Sequence, residues 1–329
     1  MTAPTLADRV IAGDPRAIAR AISIVEDEGC PAAALVAAIF PHTGRAEAVG
    51  VTGPPGAGKS TLVDRLTSAM REAGRTVGVL AVDPTSPFSG GAVLGDRVRM
   101  QGHAGDAGVF IRSMATRGHL GGLARATADA ALILDAAGRD IVIIETVGVG
   151  QDEIDIVRTA DVSIVVLVPG TGDDVQALKA GIMEIADIFV VNKADREGAR
   201  QLASAIRTSL ALAAWAPDQW RPPIVSTVAT TGEGIPELVT AIRARRDHAG
   251  PAAGLRRRAR SEQRLRALVA QRFMEHLERS VLAPGELQEV AERIARQETD
   301  PYTAAADLLR RAHIADRRPD PAATRDHDA

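Results

Sequence analysis

An α/β fold built on a mostly parallel sheet is the architecture this sequence predicts, and three observations predict it. Between residues 46 and 247, short apolar runs alternate with segments of helical spacing, the pattern of strands joined by crossover helices. The first run, 48–51, leads into Gly53-Pro54-Pro55-Gly56-Ala57-Gly58-Lys59-Ser60 and then a helical stretch from Thr61, so a G-x-x-x-x-G-K-S loop sits between strand and helix. A later run ends in Asn192-Lys193-Ala194-Asp195. Ligands in such folds lie beyond the carboxyl ends of the strands, and both motifs fall there.

Composition narrows the class. A chain of 329 residues can hold one large α/β domain with appendages, or two domains. Aromatics make up only 2%, so the core must be built from Ala, Val, Leu and Ile. No apolar run approaches the length of a membrane span. The first residues lack the basic stretch and apolar centre of a secretory leader. The single cysteine, Cys30, excludes an intramolecular disulfide. A cytoplasmic protein is expected. The net charge of −3 offers no global basic field to nucleic acid. Lys59, Lys179 and Lys193 are the only lysines among 39 basic residues. A chain so biased toward arginine marks those three as positions where a compact ammonium is not exchangeable for a guanidinium.

Taken in order, residues 1–45 read as a helical extension packed on the main domain. A first helix opens at 7–11, and Asp14-Pro15 starts a second with an N-cap and a proline at the first helical position. Ile22, Ile24 and Val25 lie toward one face, and a third helix over 31–40 is broken by Pro41-His42-Thr43-Gly44. The main domain spans 46–248. Its strands are expected at 47–52, 77–82, 108–112, 140–145, 162–168, 187–191 and 223–227. Helices are expected at 60–72, 121–138, 153–160, 173–185, 197–214 and 234–246. Near-continuous apolar strands are those of a sheet covered on both faces. Composition shifts at Ala249-Gly250-Pro251, beyond which 15 Arg face 13 Asp and Glu. Helical patterns at 255–280, 285–297 and 301–315 make 249–329 a charged helical arm with a frayed tail from Arg318. Arg256 to Arg260 is a basic run, but interspersed acids and scarce aromatics favour a charged surface or a dimer arm over nucleic acid.

The motifs carry specific chemistry. In the first, glycines let backbone N–H groups converge on phosphate oxygens, and the helix N-terminus adds a favourable dipole. Lys59 is placed to reach the β- and γ-phosphates, and Ser60, followed by Thr61, to ligate Mg²⁺. In the second, a carboxylate at Asp195 accepts both the N1–H and the exocyclic amine of guanine. Asn192 bonds the base edge or the loop, and Lys193 packs its stem over the ring. Adenine would leave that carboxylate unpaired, a mismatch worth roughly 10⁴-fold, so GTP or GDP is the expected ligand. Between the motifs, Glu145-Thr146-Val147-Gly148 ends a strand, with a carboxylate to orient the Mg²⁺ shell and a glycine amide for the γ-phosphate. Gln151 is not assigned the attacking water, because Val149 stands directly after the glycine. Asp83 at a strand end and Asp96 beyond the Gly- and Pro-rich 84–95 loop are further Mg²⁺-side carboxylates, and Asp96 also reads as an N-cap before 97–100.

These stretches together, GPPGAGKST, VDPTSPFSGGAVLGDRVRM, FIRSMATRGHLGGLA, ETVGVGQDE and NKAD, resemble the MeaB/ArgK-type P-loop GTPases over about residues 5–310. Those are the G-protein chaperones of adenosylcobalamin-dependent methylmalonyl-CoA mutase. The resemblance implies a GTPase α/β domain with a helical N-terminal extension and a C-terminal helical dimerisation arm, hence a homodimer. It also implies slow, partner-stimulated GTP hydrolysis that gates cobalamin delivery to a mutase and protects that enzyme. By the same resemblance Asp83, Asp96 and Glu145 belong to metal-side switch elements. Residues 170–180 form a switch answering the partner, in which Lys179 stabilises charge during hydrolysis. Lys59, Glu145 and Lys179 are thus the expected catalytic set. One departure stands out: Val228 occupies the place of a serine in the last guanine loop, 226–234. The O6 contact there comes from a backbone N–H near Ala229, which a valine does not remove. Two other classes fit less well. A kinase or ATPase linked to amino-acid transport conflicts with N-K-A-D, and a metal-insertion GTPase conflicts with seven scattered His and one Cys. A GTP-dependent binding switch would differ from the leading reading only in rate.

Overall fold

Seven apolar segments pair into one parallel sheet in the computed structural model, which describes residues 4–27, 30–83, 101–103, 105–115, 122–146, 148, 159–170, 182–216, 218–250 and 252–312. The strands are β1 (Glu47–Thr52), β2 (Val77–Asp83), β3 (Val109–Ala115), β4 (Ile141–Thr146), β5 (Val162–Leu167), β6 (Ile188–Asn192) and β7 (Ile224–Thr227). Their order is β3-β2-β4-β1-β5-β6-β7, every pairing parallel. After β1 the chain builds toward one edge, and after β4 it crosses back to β5 on the other side of β1. That reversal opens a crevice at the carboxyl end of β1, where α/β sheets take their ligands.

Side-chain alternation divides the sheet residues between two covered faces. On one face Val49, Val51, Ile143, Ile164, Val166 and Val190 pack with α4 (Lys59–Glu72) and α8 (Ile235–Ala249) through Leu62, Leu66, Leu238 and Ile242. On the other, Leu80, Val82, Val142 and Ile144 meet α5 (Gly122–Ala136) through Ala130, Ile133 and Leu134. Val165, Leu167, Phe189 and Val191 continue that face against α7 (Ala199–Ala211) through Leu202 and Ile206. A short α6 (Ile182–Ile185) precedes β6. Apart from Phe189 the core of the described residues is aliphatic, as the scarcity of aromatics requires.

Strand starts are set by aspartates. Asp140, Asp161 and Asp187 each stand immediately before a strand and turn a carboxylate onto a backbone N–H of the neighbouring strand's segment. Asp140 accepts from Thr76 at 2.7 Å, Asp161 from Ala48 at 2.9 Å and Asp187 from Ser163 at 3.0 Å. β4 and β6 therefore begin one residue later than apolarity predicts, because Asp140 and Asp187 act as pins rather than ladder residues. β3 runs beyond its expected end at 112, pairing on to Ala115 opposite Asp83. Arg112 is tolerated in that strand because its guanidinium donates to Ser23 Oγ and Glu26 Oε2 on the helix covering it. The helices expected at 153–160 and 173–185 fall largely outside the described residues.

The N-terminal helices explain themselves locally. Thr5 and Asp8 form a capping box on α1 (Leu6–Ile11), and Asp14 caps α2 (Pro15–Glu26) with Pro15 at the first position. Ile18, Ile22 and Val25 are the buried stripe of α2, while Ile24 sits at its partly buried edge. Together with α3 (Cys30–Ile39) they cover α5. Asp135 at the end of α5 accepts the N–H groups of Gly44, Arg45 and Ala46, tying down the link into β1.

The chain divides into two units, Met1–Gly250 and Pro251–Ala329. The second is helical: α9 (Ala252–His276) ends in a π-turn over Leu277–Val281, followed by α10 (Glu286–Ala295) and α11 (Pro301–Arg311). Asp300 caps α11 through Tyr302 and Thr303, and the Arg311 guanidinium holds α11 to Glu286 on α10. That guanidinium depresses the Glu286 carboxyl to about 2.

Candidate functional site

The phosphate loop is shaped by three glycines with positive φ: Gly53 (152°), Gly56 (75°) and Gly58 (84°). At Gly53 a Cβ would sit 2.2 Å from the Val166 carbonyl oxygen of β5, so only glycine lets the chain leave β1 there. Pro54 is buried and Pro55 exposed, the Ala57 N–H closes a turn onto the Pro54 carbonyl at 3.2 Å, and the Ala57 methyl is buried in the core. Gly58 is the N-cap of α4, so the loop's amides and the positive end of the helix face the same space. Lys59 is 6% exposed and its Nζ donates to the Gly53 and Pro54 carbonyls at 2.8 and 3.0 Å. The ammonium is held at the mouth of the loop, where it can exchange carbonyl oxygens for phosphate oxygens.

Beside it lie oxygen donors suited to a hard cation. Ser60 Oγ donates to Glu145 Oε1 at 2.6 Å, joining the first turn of α4 to the end of β4, with Glu145 only 4% exposed. A hydroxyl and a carboxylate that close together fit Mg²⁺, which prefers few protein oxygens and keeps the rest of its shell as water and phosphate. Thr61 follows on the same helical turn. Asp83 closes β2 at the same end of the sheet, paired in register opposite Ala115 and one residue beyond the Val82–Thr146 pair.

The base side is wired to the phosphate side. Asn192, 2% exposed at the end of β6, donates Nδ2–H to the Ala57 carbonyl at 2.8 Å. Its Oδ1 accepts from Thr227 Oγ1 and from the Ala229 N–H, both at 3.1 Å. Of the two partners expected for Asn192, base edge or loop, the structure shows the loop. Gly58 is needed for this contact too, since a Cβ there would lie 2.5 Å from Asn192 Nδ2. Lys193 adopts φ 55°, rare for a side-chain-bearing residue, and its Nζ reaches the Gly56 carbonyl at 2.8 Å. Its stem thus spans from the N-K-A-D turn to the phosphate loop. Asp195 is exposed in that turn, which is closed by Ala194 N–H to the Thr227 carbonyl at 3.0 Å. Ala229 is buried, and its N–H is engaged with Asn192.

The sequence profile described as "Methylmalonyl Co-A mutase-associated GTPase MeaB" matches residues 18–282. The chain belongs to the MeaB family. A Pyrococcus abyssi protein that carries a GTPase name is 51% identical over 309 residues, covering 93% of this chain and 95% of that one. The GTPase ArgK of Escherichia coli is 38% identical over 241 residues, 71% of this chain and 73% of its own. Among solved structures, that of an "LAO/AO transport system kinase" superposes with a TM-score of 0.71 at 27% identity, covering 94% of this chain and 96% of that one. The fold is accordingly that of a P-loop GTPase, and the chain is a GTPase of the MeaB/ArgK type.

Within this MeaB-family chain, the structure brings together Gly53 to Thr61, Glu145, Asn192, Lys193 and Ala229 at one end of the sheet. Asp96, Lys179 and Gln151 lie outside the described residues, as does the side chain of Asp83. Sequence reading missed two threonines. Thr52 Oγ1 donates to the Gly148 carbonyl at 2.8 Å, and Thr146 Oγ1 donates to Thr52 Oγ1 at 3.0 Å, both threonines fully buried. They latch the segment after β4 to the last residue before the phosphate loop. The signal was a hydroxyl at the final position of two adjacent apolar strands, where a buried polar group needs a partner. Among the described residues, no group of three His, Cys, Asp or Glu gathers as a metal cluster, and no helix is long and apolar enough to cross a membrane.

Proposed function

We propose that this GTPase converts GTP to GDP and phosphate as a chaperone of a cobalamin-dependent acyl-CoA mutase, with methylmalonyl-CoA mutase the partner that the family's description names. Hydrolysis gates adenosylcobalamin delivery to that enzyme and protects it. The observation that carries the reading is the Asn192 bridge, which joins the guanine motif to the phosphate loop in a chain of a mutase-associated GTPase family. Lys59 and the α4 N-terminus bind the β- and γ-phosphates. Ser60 and Glu145, with Asp83 and Asp96, would hold Mg²⁺, which would supply neutralisation of phosphate charge. The Gly148 amide turns to the γ-phosphate, Asp195 pairs with the guanine edge, and Lys179 in the 170–180 segment supplies the charge that the partner brings to bear. In this reading residues 1–45 are a helical extension, 46–248 the GTPase domain and 249–329 a dimerisation arm of a cytoplasmic homodimer.

The test is GTP turnover with and without a cobalamin-dependent acyl-CoA mutase from the same source. Stimulation of about ten-fold or more with ATP inert, in the range by which charge-stabilising partners act on other GTPases or below it, is the expected result. Tight GTP binding without stimulation would leave the GTPase in place and remove the partnership.

A further inference from the structure

Arg65 stands further along α4 than Lys59 and belongs to none of the motifs above. Its Nε donates to the Ala229 carbonyl at 3.2 Å and its Nη2 to the Thr230 carbonyl at 2.7 Å. Ala229 is therefore held from two sides: its N–H by Asn192 Oδ1 at the base motif, its carbonyl by the helix that begins at the phosphate loop. No peptide among the described residues is cis, so the Thr230 N–H points opposite to the Ala229 carbonyl. A guanidinium on that carbonyl sets the direction of the next amide. The loop needs such a support, because Val228 carries no hydroxyl to bond the turn and orders it only through its backbone: its N–H donates to the Glu233 carbonyl, and its carbonyl accepts from the N–H groups of Thr231 and Gly232.

We infer that Arg65 is a positioning residue for guanine, holding the 229–230 peptides so that a backbone N–H is presented to the base O6. The inference rests on reading the 226–234 loop as the O6 reader. A planar fork is what two consecutive carbonyls require, and a lysine offers only one point of charge. Arg65 is itself exposed, so its removal perturbs the loop more than the fold.

The experiment is steady-state turnover of wild type, Arg65→Ala, Arg65→Lys and Asp195→Asn with GTP, ITP and XTP, alongside thermal midpoints. Asp195→Asn exchanges an acceptor for an amide that donates to the C2 carbonyl of xanthine, so a shift of preference from GTP to XTP establishes the base site independently of Arg65. With that shift in hand, Arg65→Ala raises KM for GTP and ITP alike by about ten-fold, the loss of a two-point charge-assisted link. The GTP-to-ITP ratio holds, because the exocyclic amine is read at Asp195, and kcat at saturation stays within about two-fold. Arg65→Lys recovers part of the KM. An Arg65→Ala protein with unchanged KM, whatever its midpoint, would overturn the inference, as would a fall in kcat alone. If Asp195→Asn leaves base preference where it was, the base-site reading fails and Arg65 has nothing to position.

Discussion

Lys59 shows how one residue can be read for function against stability. Its ammonium is buried at 6% exposure, in a place where water would solvate it better, and it leans on two loop carbonyls. Burying a charge opposes folding unless its partners compensate. In the function proposed above, a group kept there in a chain with only two other lysines is kept for a ligand. Lys59→Ala is therefore expected to lower kcat/KM for GTP about a hundred-fold, or ~2.7 kcal/mol of transition-state stabilisation. The thermal midpoint without nucleotide should stay within about 2 °C of wild type or rise. Steady-state kinetics and calorimetry on the same preparations check both halves. A lowered midpoint with intact turnover would make Lys59 a structural residue and remove it from the site.

At the scale of elements, the amino ends of the strands are held by charge and the carboxyl ends are left for chemistry. Asp140, Asp161 and Asp187 pin neighbouring strands by accepting backbone N–H groups. Glu47, the first residue of β1, is the misfit in this row. Burial raises its carboxyl pKa, against the opposing pull of Arg246 at 3.6 Å, and its Oε1 is buried without a hydrogen-bond partner among the described residues. The Arg246 attraction is the weaker effect, because that guanidinium is half exposed and also pairs with Asp247. A carboxyl with a raised folded-state pKa binds its proton more tightly in the native chain. Its penalty is absent below the unfolded value of 4.5, grows as pH rises through the folded value, and is complete above it. Glu47→Gln should thus stabilise the protein by about 1 kcal/mol at pH 8 and leave it unchanged at pH 4. Urea unfolding at the two pH values measures this. A variant less stable at pH 8 would mean that the Arg246 pair outweighs desolvation.

Across the whole molecule, what was legible in the sequence followed from strong local chemistry. Gly53, Gly56 and Gly58 declared a loop that only glycine can trace, and alternating apolar runs placed the strands to within a few residues. Less legible were contacts between residues far apart in the chain. Nothing local announces that Asn192 would spend its amide on Ala57, that Thr52 would find Gly148, or that Asp140 would stand just ahead of its strand to hold Thr76. Such bonds depend on which strands become neighbours, and strand order 3-2-4-1-5-6-7 is not written in any one segment. The same division of the sheet yields a prediction about the molecule as a whole. Nucleotide can stabilise only the amides it orders, and in the function proposed above those lie at the carboxyl ends, in 53–61, 192–195 and 228–231. The pinned amides of Ala48, Thr76 and Ser163 at the amino ends already have carboxylate partners. Hydrogen exchange with GTP and Mg²⁺ at a hundred times Kd should therefore slow the first set by up to about a hundred-fold, the mass-action limit of ~2.7 kcal/mol for openings that release ligand. The second set should change only where it exchanges through global unfolding. Protection spread evenly over both ends would mean that the nucleotide tightens the whole sheet. Protection confined to 53–61, with 192–195 and 228–231 untouched, would mean that phosphates bind and the base is not read.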